Sequence, residues 1–214
     1  MSAASSVRLF RRLRAALTGG LLIAVALSTP AAARTIVDPS TLNPAPPESF
    51  NAVCYRTGGH ISCNLSFSDP DVVAEPTGII CDDGTELLNS FERSVVGKRI
   101  YDADGNLVQR HFRESFTGTF LNPTTGQTAL WTQHDTVIHN LAVPGDVTTG
   151  TEQVSGLQSR VWVPGGGTIL TDAGRLVFDA ASGEVLRASG HHPFDEYYRL
   201  GDASALAGLC AALT

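Results

Sequence analysis

Two short stretches carry the side chains best suited to chemistry. In the first, Arg110 to Phe120, residues Phe112, Glu114, Phe116 and Phe120 fall at alternate positions, with Gly118 between the last two. Alternate positions of a strand share one face, so Glu114 is expected as a single carboxylate among aromatic rings. A carboxyl buried in that way finds a cation or rises in pKa, and groups so perturbed concentrate at functional sites. The plain reading is an ion pair with an arginine. The chemical reading is a ligand anchor or an acid–base group.

The second stretch runs from Trp131 to Asn140. Trp131, Gln133, Asp135 and His139 share a face, whereas His134 points the other way. Histidine serves as acid, base or metal ligand. No His-x-His or His-Glu-x-x-His spacing occurs, so neither a metal nor a cofactor is expected. Asp172 lies between Leu170 and Leu176 and reads either as a third inward polar group or as part of a Thr171-Asp172-Ala173-Gly174 turn. His191-His192-Pro193 reads as loop, and no Ser sits in a Gly-x-Ser-x-Gly elbow. The candidate ligand contacts are therefore Phe112, Glu114, Phe116, Trp131, Asp135 and His139, with no catalytic residue assigned.

Such residues need a sheet to position them. Ile61, Cys63, Leu65 and Phe67 alternate with Ser62, Asn64, Ser66 and Ser68, a period of two. Turn signals recur at Asp104-Gly105-Asn106, Asn122 to Gly126, Pro144-Gly145-Asp146, Pro164 to Gly167 and Ala181-Ser182-Gly183. The Thr-, Val- and Phe-rich runs between them suit long antiparallel strands. About eight strands in sequence predict an all-β, up-and-down antiparallel barrel. At the end, Asp202 caps a short helix whose Leu206, Leu209, Cys210 and Leu213 recur at helical spacing.

Four cysteines in an exported chain point to disulfides. If Gly58-Gly59 is a two-residue hairpin turn, counting back sets Thr57 opposite His60, Cys54 opposite Cys63, Ala52 opposite Leu65 and Phe50 opposite Phe67. The cysteines then fall on a non-hydrogen-bonded pair, where Cα atoms approach to about 4.5 Å. Cys81 is left to pair with Cys210, fastening the terminal helix to the body. The two other connectivities stay open on sequence alone. A zinc site has no Cys-x-x-Cys to support it.

Residues 1–33 read as a bacterial signal peptide. Arg8, Arg11, Arg12 and Arg14 form a basic start, Leu21 to Leu27 a short apolar run, and Ala31-Ala32-Ala33 a cleavage site. The apolar run is too short for a membrane anchor, so no stable membrane insertion is expected after cleavage. The general secretory route is favoured over the twin-arginine route, because a Leu-Arg follows Arg12 and no Ser or Thr precedes Arg11. Removing those four arginines leaves 11 basic residues against 21 acidic ones, a net charge of −10. That balance disfavours nucleic acid and anionic lipid as partners. Residues 34–49, with Pro39, Pro44, Pro46 and Pro47, read as an extended linker, and 50–214 as one domain.

The run Phe116 to Gly126, the turns Pro144-Gly145-Asp146 and Val163 to Gly167, and Asp172 to Asp179 resemble a group of uncharacterised secreted proteins of actinobacteria, over about residues 50 to 213. The order of long strands is also similar to allene oxide cyclase and lipocalin-like barrels, although the Gly-x-Trp of the lipocalin first strand is missing. The resemblance implies export and a barrel, and it brings no activity. The expected function is a secreted β-barrel that binds a small apolar molecule. The rivals are an isomerase or cyclase on the same barrel and a non-catalytic extracellular interaction module.

Overall fold

A computed structural model describes residues 34–214. The signal peptide assigned to residues 1–33 lies outside the described residues. Nine strands follow one another in a single antiparallel meander: β1 (Thr35–Val37), β2 (Asn51–Thr57), β3 (His60–Ile80), β4 (Glu86–Tyr101), β5 (Leu107–Leu121), β6 (Thr128–Asn140), β7 (Thr151–Val163), β8 (Gly167–Asp179) and β9 (Val185–His191). Each strand pairs with the next in sequence, so the chain is mostly antiparallel sheet in up-and-down order. Two short helices close it, α1 (Pro193–Leu200) and α2 (Ala207–Leu213).

The β2–β3 hairpin has the expected register. Thr57 faces His60, Cys54 faces Cys63 and Ala52 faces Leu65. Cys54 and Cys63 are bonded with Cα atoms 4.0 Å apart, and the Phe50 and Phe67 rings stack at 5.0 Å. Gly58 opens the turn with a φ of 60°, which the hairpin geometry requires.

β3 is longer than the strand it faces. Its register against β4 slips between Asp69 and Val72, between Val72 and Glu75, and between Pro76 and Ile80. Pro76 falls beside one of these slips, as expected for a residue without an N–H. Bulges bend a strand and raise its twist, and here they help curl the sheet.

Alternation then separates inner from outer faces. On β4 the inner row runs Leu87, Asn89, Phe91, Arg93, Val95, Gly97, Arg99 and Tyr101. On β5 it runs from Leu107 to Phe120 through Phe112, Glu114 and Phe116. Two apolar clusters form on this face. One gathers Leu42, Cys54, Ile61, Cys63, Leu65, Tyr101 and Leu107 at the end near the β4–β5 turn. The other gathers Ile79, Leu87, Phe120, Ala129, Trp131, Val161 and Leu170 at the opposite end, with Leu206, Leu209 and Leu213 packed into it.

Residues 34–49 are not a loose linker. β1 pairs with β2, and a 3-10 turn (Pro39–Thr41) delivers Leu42 into the first cluster. Asn43 then bonds to Gly105 and Leu107 through its backbone, so this segment stops one end of the curled sheet. Its prolines suggested an extended tether, but an apolar side chain and backbone partners seat it.

The other end is stopped by the C-terminal segment. Asp202 does cap a turn, accepting from Ser204 N at 2.9 Å, but that turn is a 3-10 stretch (Ala203–Leu206) that leads into α2. Cys210 is bonded to Cys81, and Thr125 Oγ1 donates to the Leu213 carbonyl at 2.7 Å. Pro193, expected in a His191-His192-Pro193 loop, instead begins α1, with Asp195 and Glu196 in its first turn and Gly201 behind it in a left-handed conformation. The helix lies across the gap between β8 and β3. Tyr197 Oη accepts from Ile80 N at 2.9 Å and donates to the Gly78 carbonyl at 3.1 Å, and Tyr198 Oη donates to the Thr77 carbonyl at 2.8 Å.

The Cys81–Cys210 bond closes 129 residues of sequence, against 9 for Cys54–Cys63. In the chain-entropy picture the longer loop contributes more. Removing both cysteines of the long bridge (C81S with C210S) is expected to cost roughly 2–4 kcal/mol in urea unfolding. Removing the short bridge should cost less. Equal losses would contradict the assignment of the long bridge as the clamp on the helices.

Candidate functional site

The inner face of β3–β8 and α1 line an open cavity of about 550 Å³. Phe91, Phe120, Trp131, Leu176, Phe178 and Phe194 supply apolar wall. The polar lining includes Asn89, Gln133, Asp135, Gln158, Ser159 and Asp172. Among its lining residues Glu75, Pro76 and Tyr198 are exposed and mark the mouth.

Trp131 organises the wall. Its ring lies 6.0 Å from Phe116, 5.9 Å from Phe120 and 6.2 Å from Phe91. Its Nε1 donates to Asn89 Oδ1 at 2.8 Å, which satisfies the one polar atom of the ring. Gly118 makes this seat possible: a Cβ there would stand 2.5 Å from Trp131 Nε1 and 2.6 Å from Cε2. The glycine that interrupts the Phe116–Phe120 row is thus the space the indole occupies.

Asp135 is the carboxylate that faces the cavity without full compensation. It is 7% exposed. Oδ2 accepts from Gln133 Nε2 at 2.9 Å, and Oδ1 is buried with no hydrogen-bond partner in the described residues. Burial pushes its pKa up from 3.8 to about 6. The Gln133 bond, Arg93 and the residue's own backbone N–H oppose the rise, and the nearby Glu114 charge adds to it.

Asp172 is inward on β8, not in a turn, and it is compensated. Oδ1 lies 3.0 Å from His192 Nδ1, and Oδ2 accepts from Phe194 N at 3.2 Å. His192 Nε2 lies 3.0 Å from the Ser189 carbonyl, and Gln158 Oε1 is 3.2 Å from Nδ1. Both ring nitrogens therefore meet oxygen acceptors. Burial raises the Asp172 pKa, and the bonds from His192 and Phe194 oppose that rise. The pair ties β8 to the start of α1 and so holds the roof over the cavity.

The residues singled out from sequence divide between places. Trp131 and Asp135 line the cavity. Phe116 stands behind Trp131 and packs against the same cluster. Glu114 is inward, 15% exposed, and paired with Arg93 at 3.2 Å; Arg93 also lies over the Phe67 and Phe116 rings. Phe112 belongs to the opposite apolar cluster, beside Phe50. His139 is 1% exposed and held between Arg110 and the Thr149 carbonyl, away from the cavity lining. His134 is on the outer face, bonded to Ser115 Oγ at 3.0 Å.

Sequence reasoning missed the contribution of Gln158, His192 and the whole of α1. For α1 a signal existed: Pro193 followed by Asp195 and Glu196, then Arg199 and Gly201, is the pattern of a short helix. Gln158 sits at a register slip between Leu157 and Ser159, which strict alternation does not anticipate. Among the described residues no group of three or more His, Cys, Asp or Glu is placed to hold a metal.

No family model matches the chain, and comparisons with curated proteins and with solved structures found no match.

The Asp135 geometry fixes a pH dependence. Its carboxyl titrates at about 6 in the fold against 3.8 ordinarily, so the folded chain binds more protons between those values. Stability is then lost as pH rises through this window, and the full cost is present above it. D135N removes the buried charge and keeps an acceptor for Gln133. It should be more stable than the parent at pH 7.5, by on the order of 2 kcal/mol, with the difference vanishing below pH about 4. Urea unfolding at the two pH values checks this, and a pH-independent difference would contradict it.

Proposed function

We propose that the protein is an exported binding protein that holds one small, largely apolar molecule inside its curled sheet. The carrying observation is the cavity of about 550 Å³ with aromatic walls and a few inward polar groups. Ligand sites commonly measure roughly 300–1,000 Å³ and have this make-up. In this reading the meander acts as an up-and-down barrel. α1 bridges β8 and β3, which no backbone ladder joins, and barrels of about eight strands hold one small ligand. Two disulfides fit an oxidising compartment, which suits export by the general secretory route.

A catalytic version has one observation in its favour. Asp135, with its carboxyl raised to about 6, faces the cavity, and such a group suits general acid–base work near neutral pH. Glu114 is Asp135's cross-strand neighbour but is engaged by Arg93, which leaves Asp135 the better-placed acid or base for an isomerase or cyclase.

Native mass spectrometry and thermal-shift screening of the disulfide-bonded chain against apolar metabolites test the binding reading. V154W places a large ring in the cavity lined by Val154. At least one compound should bind the parent, and V154W should weaken it by about tenfold or more while circular dichroism stays native. Absence of any binder, or a binder indifferent to V154W, would overturn the reading.

A further inference from the structure

We propose that the cavity selects small lipophilic amines, with the ammonium group beside the Asp135 carboxylate and the apolar body lying against Trp131, Phe120 and Leu176. This rests on the cavity being a ligand site and specifies the chemistry it accepts.

The first support is an unmet acceptor. Asp135 Oδ2 is taken by Gln133, whereas Oδ1 is buried and unpartnered in the described residues. Buried polar atoms almost always have a partner, and a bare one is costly. No salt bridge reaches this carboxylate among the described residues, so a cation in the cavity beside it offsets a charge that the protein leaves uncompensated.

The second is space. Asp135 pairs across the sheet with Gly156 on β7. A Cβ on Gly156 would stand 2.7 Å from the His134 carbonyl and 3.5 Å from Asp135 Cβ. No side chain from that neighbour therefore covers the carboxylate.

The third is charge. The lining contains Glu75, Asp135, Asp172 and Asp195 but no Lys, Arg or His. Asp172 is paired with His192 and Asp195 with Arg199, and Glu75 sits at the exposed mouth. The cation that acts on Asp135, Arg93, is already bound to Glu114. An anionic ligand meets only like charge, a neutral one meets the acceptor without charge assistance, and an ammonium gains both. Charge-assisted hydrogen bonds are roughly twice as strong as neutral ones.

The fourth is the wall itself. Phe91, Phe120, Trp131 and Phe194 line the cavity, and aromatic faces attract an organic cation through their quadrupoles. A carboxylate at one side and aromatic rings around it suit a primary amine on a compact apolar body.

Calorimetric titration at pH 7.5 tests this with three apolar bodies, phenylethyl, indolylethyl and octyl, each carried as the amine, the alcohol and the corresponding carboxylate. In at least one set the amine should bind about tenfold or more tighter than the alcohol, with the carboxylate weakest. D135N should bring amine and alcohol to within about threefold of each other. Alcohols that bind as well as amines, or an amine preference that survives D135N, would overturn the inference and leave the cavity reading intact. No binding in any set, with the broader apolar screen also empty, would remove both.

Discussion

A long antiparallel meander can hide its inner face only by curling, and curling leaves ends and a seam that the sheet cannot cover with its own backbone. The rest of the structure depends on how these are stopped. At one end the N-terminal segment lays Leu42 on the cluster around Tyr101 and Leu107. At the other, α2 buries Leu209 and Leu213 against Phe120, Trp131 and Leu170, held by Cys210. Along the seam, Tyr197 and Tyr198 of α1 bond to β3. These stoppers differ from a continuous ladder in one respect: they cover the interior without filling it, and the cavity is what remains.

The polar groups on the inner face show what the fold settles for itself. Glu114 has Arg93, Asp172 has His192 and the Phe194 amide, and the Trp131 indole has Asn89. Each is a buried group with a partner, as stable interiors require. Asp135 has one oxygen bonded and the other bare, and Gln158 Nε2 on the same lining and Arg93 Nε are bare as well, but Asp135 is the carboxylate among them. Natural sequences depart from internal consistency mainly at functional sites, which is why one carboxylate carries most of the functional argument here.

Much of the architecture was legible because it rests on period-two patterns. Ile61 to Phe67 and Phe112 to Phe120 fixed which residues share a face, and the Gly58-Gly59 turn fixed the Cys54–Cys63 register to the residue. The cysteine count and the helical spacing from Leu206 to Leu213 pointed to the second bridge. What was not legible depends on contacts distant in sequence. The Arg93 partner of Glu114 and the His192 partner of Asp172 lie 21 and 20 positions away, and the burial of Leu42 draws on Tyr101 and Leu107, farther still. Gly118 was visible in the aromatic row, but its role needs the position of the Trp131 ring.

Asp135 is a desolvated carboxylate on the lining of the cavity. Carbon-detected NMR titration of the Asp135 side chain in the ligand-free, disulfide-bonded protein tests this most directly. The account predicts a midpoint near the value of about 6 that burial produces. A midpoint at the ordinary value of 3.8 would place the carboxyl in water or beside an unrecognised cation, and would contradict it.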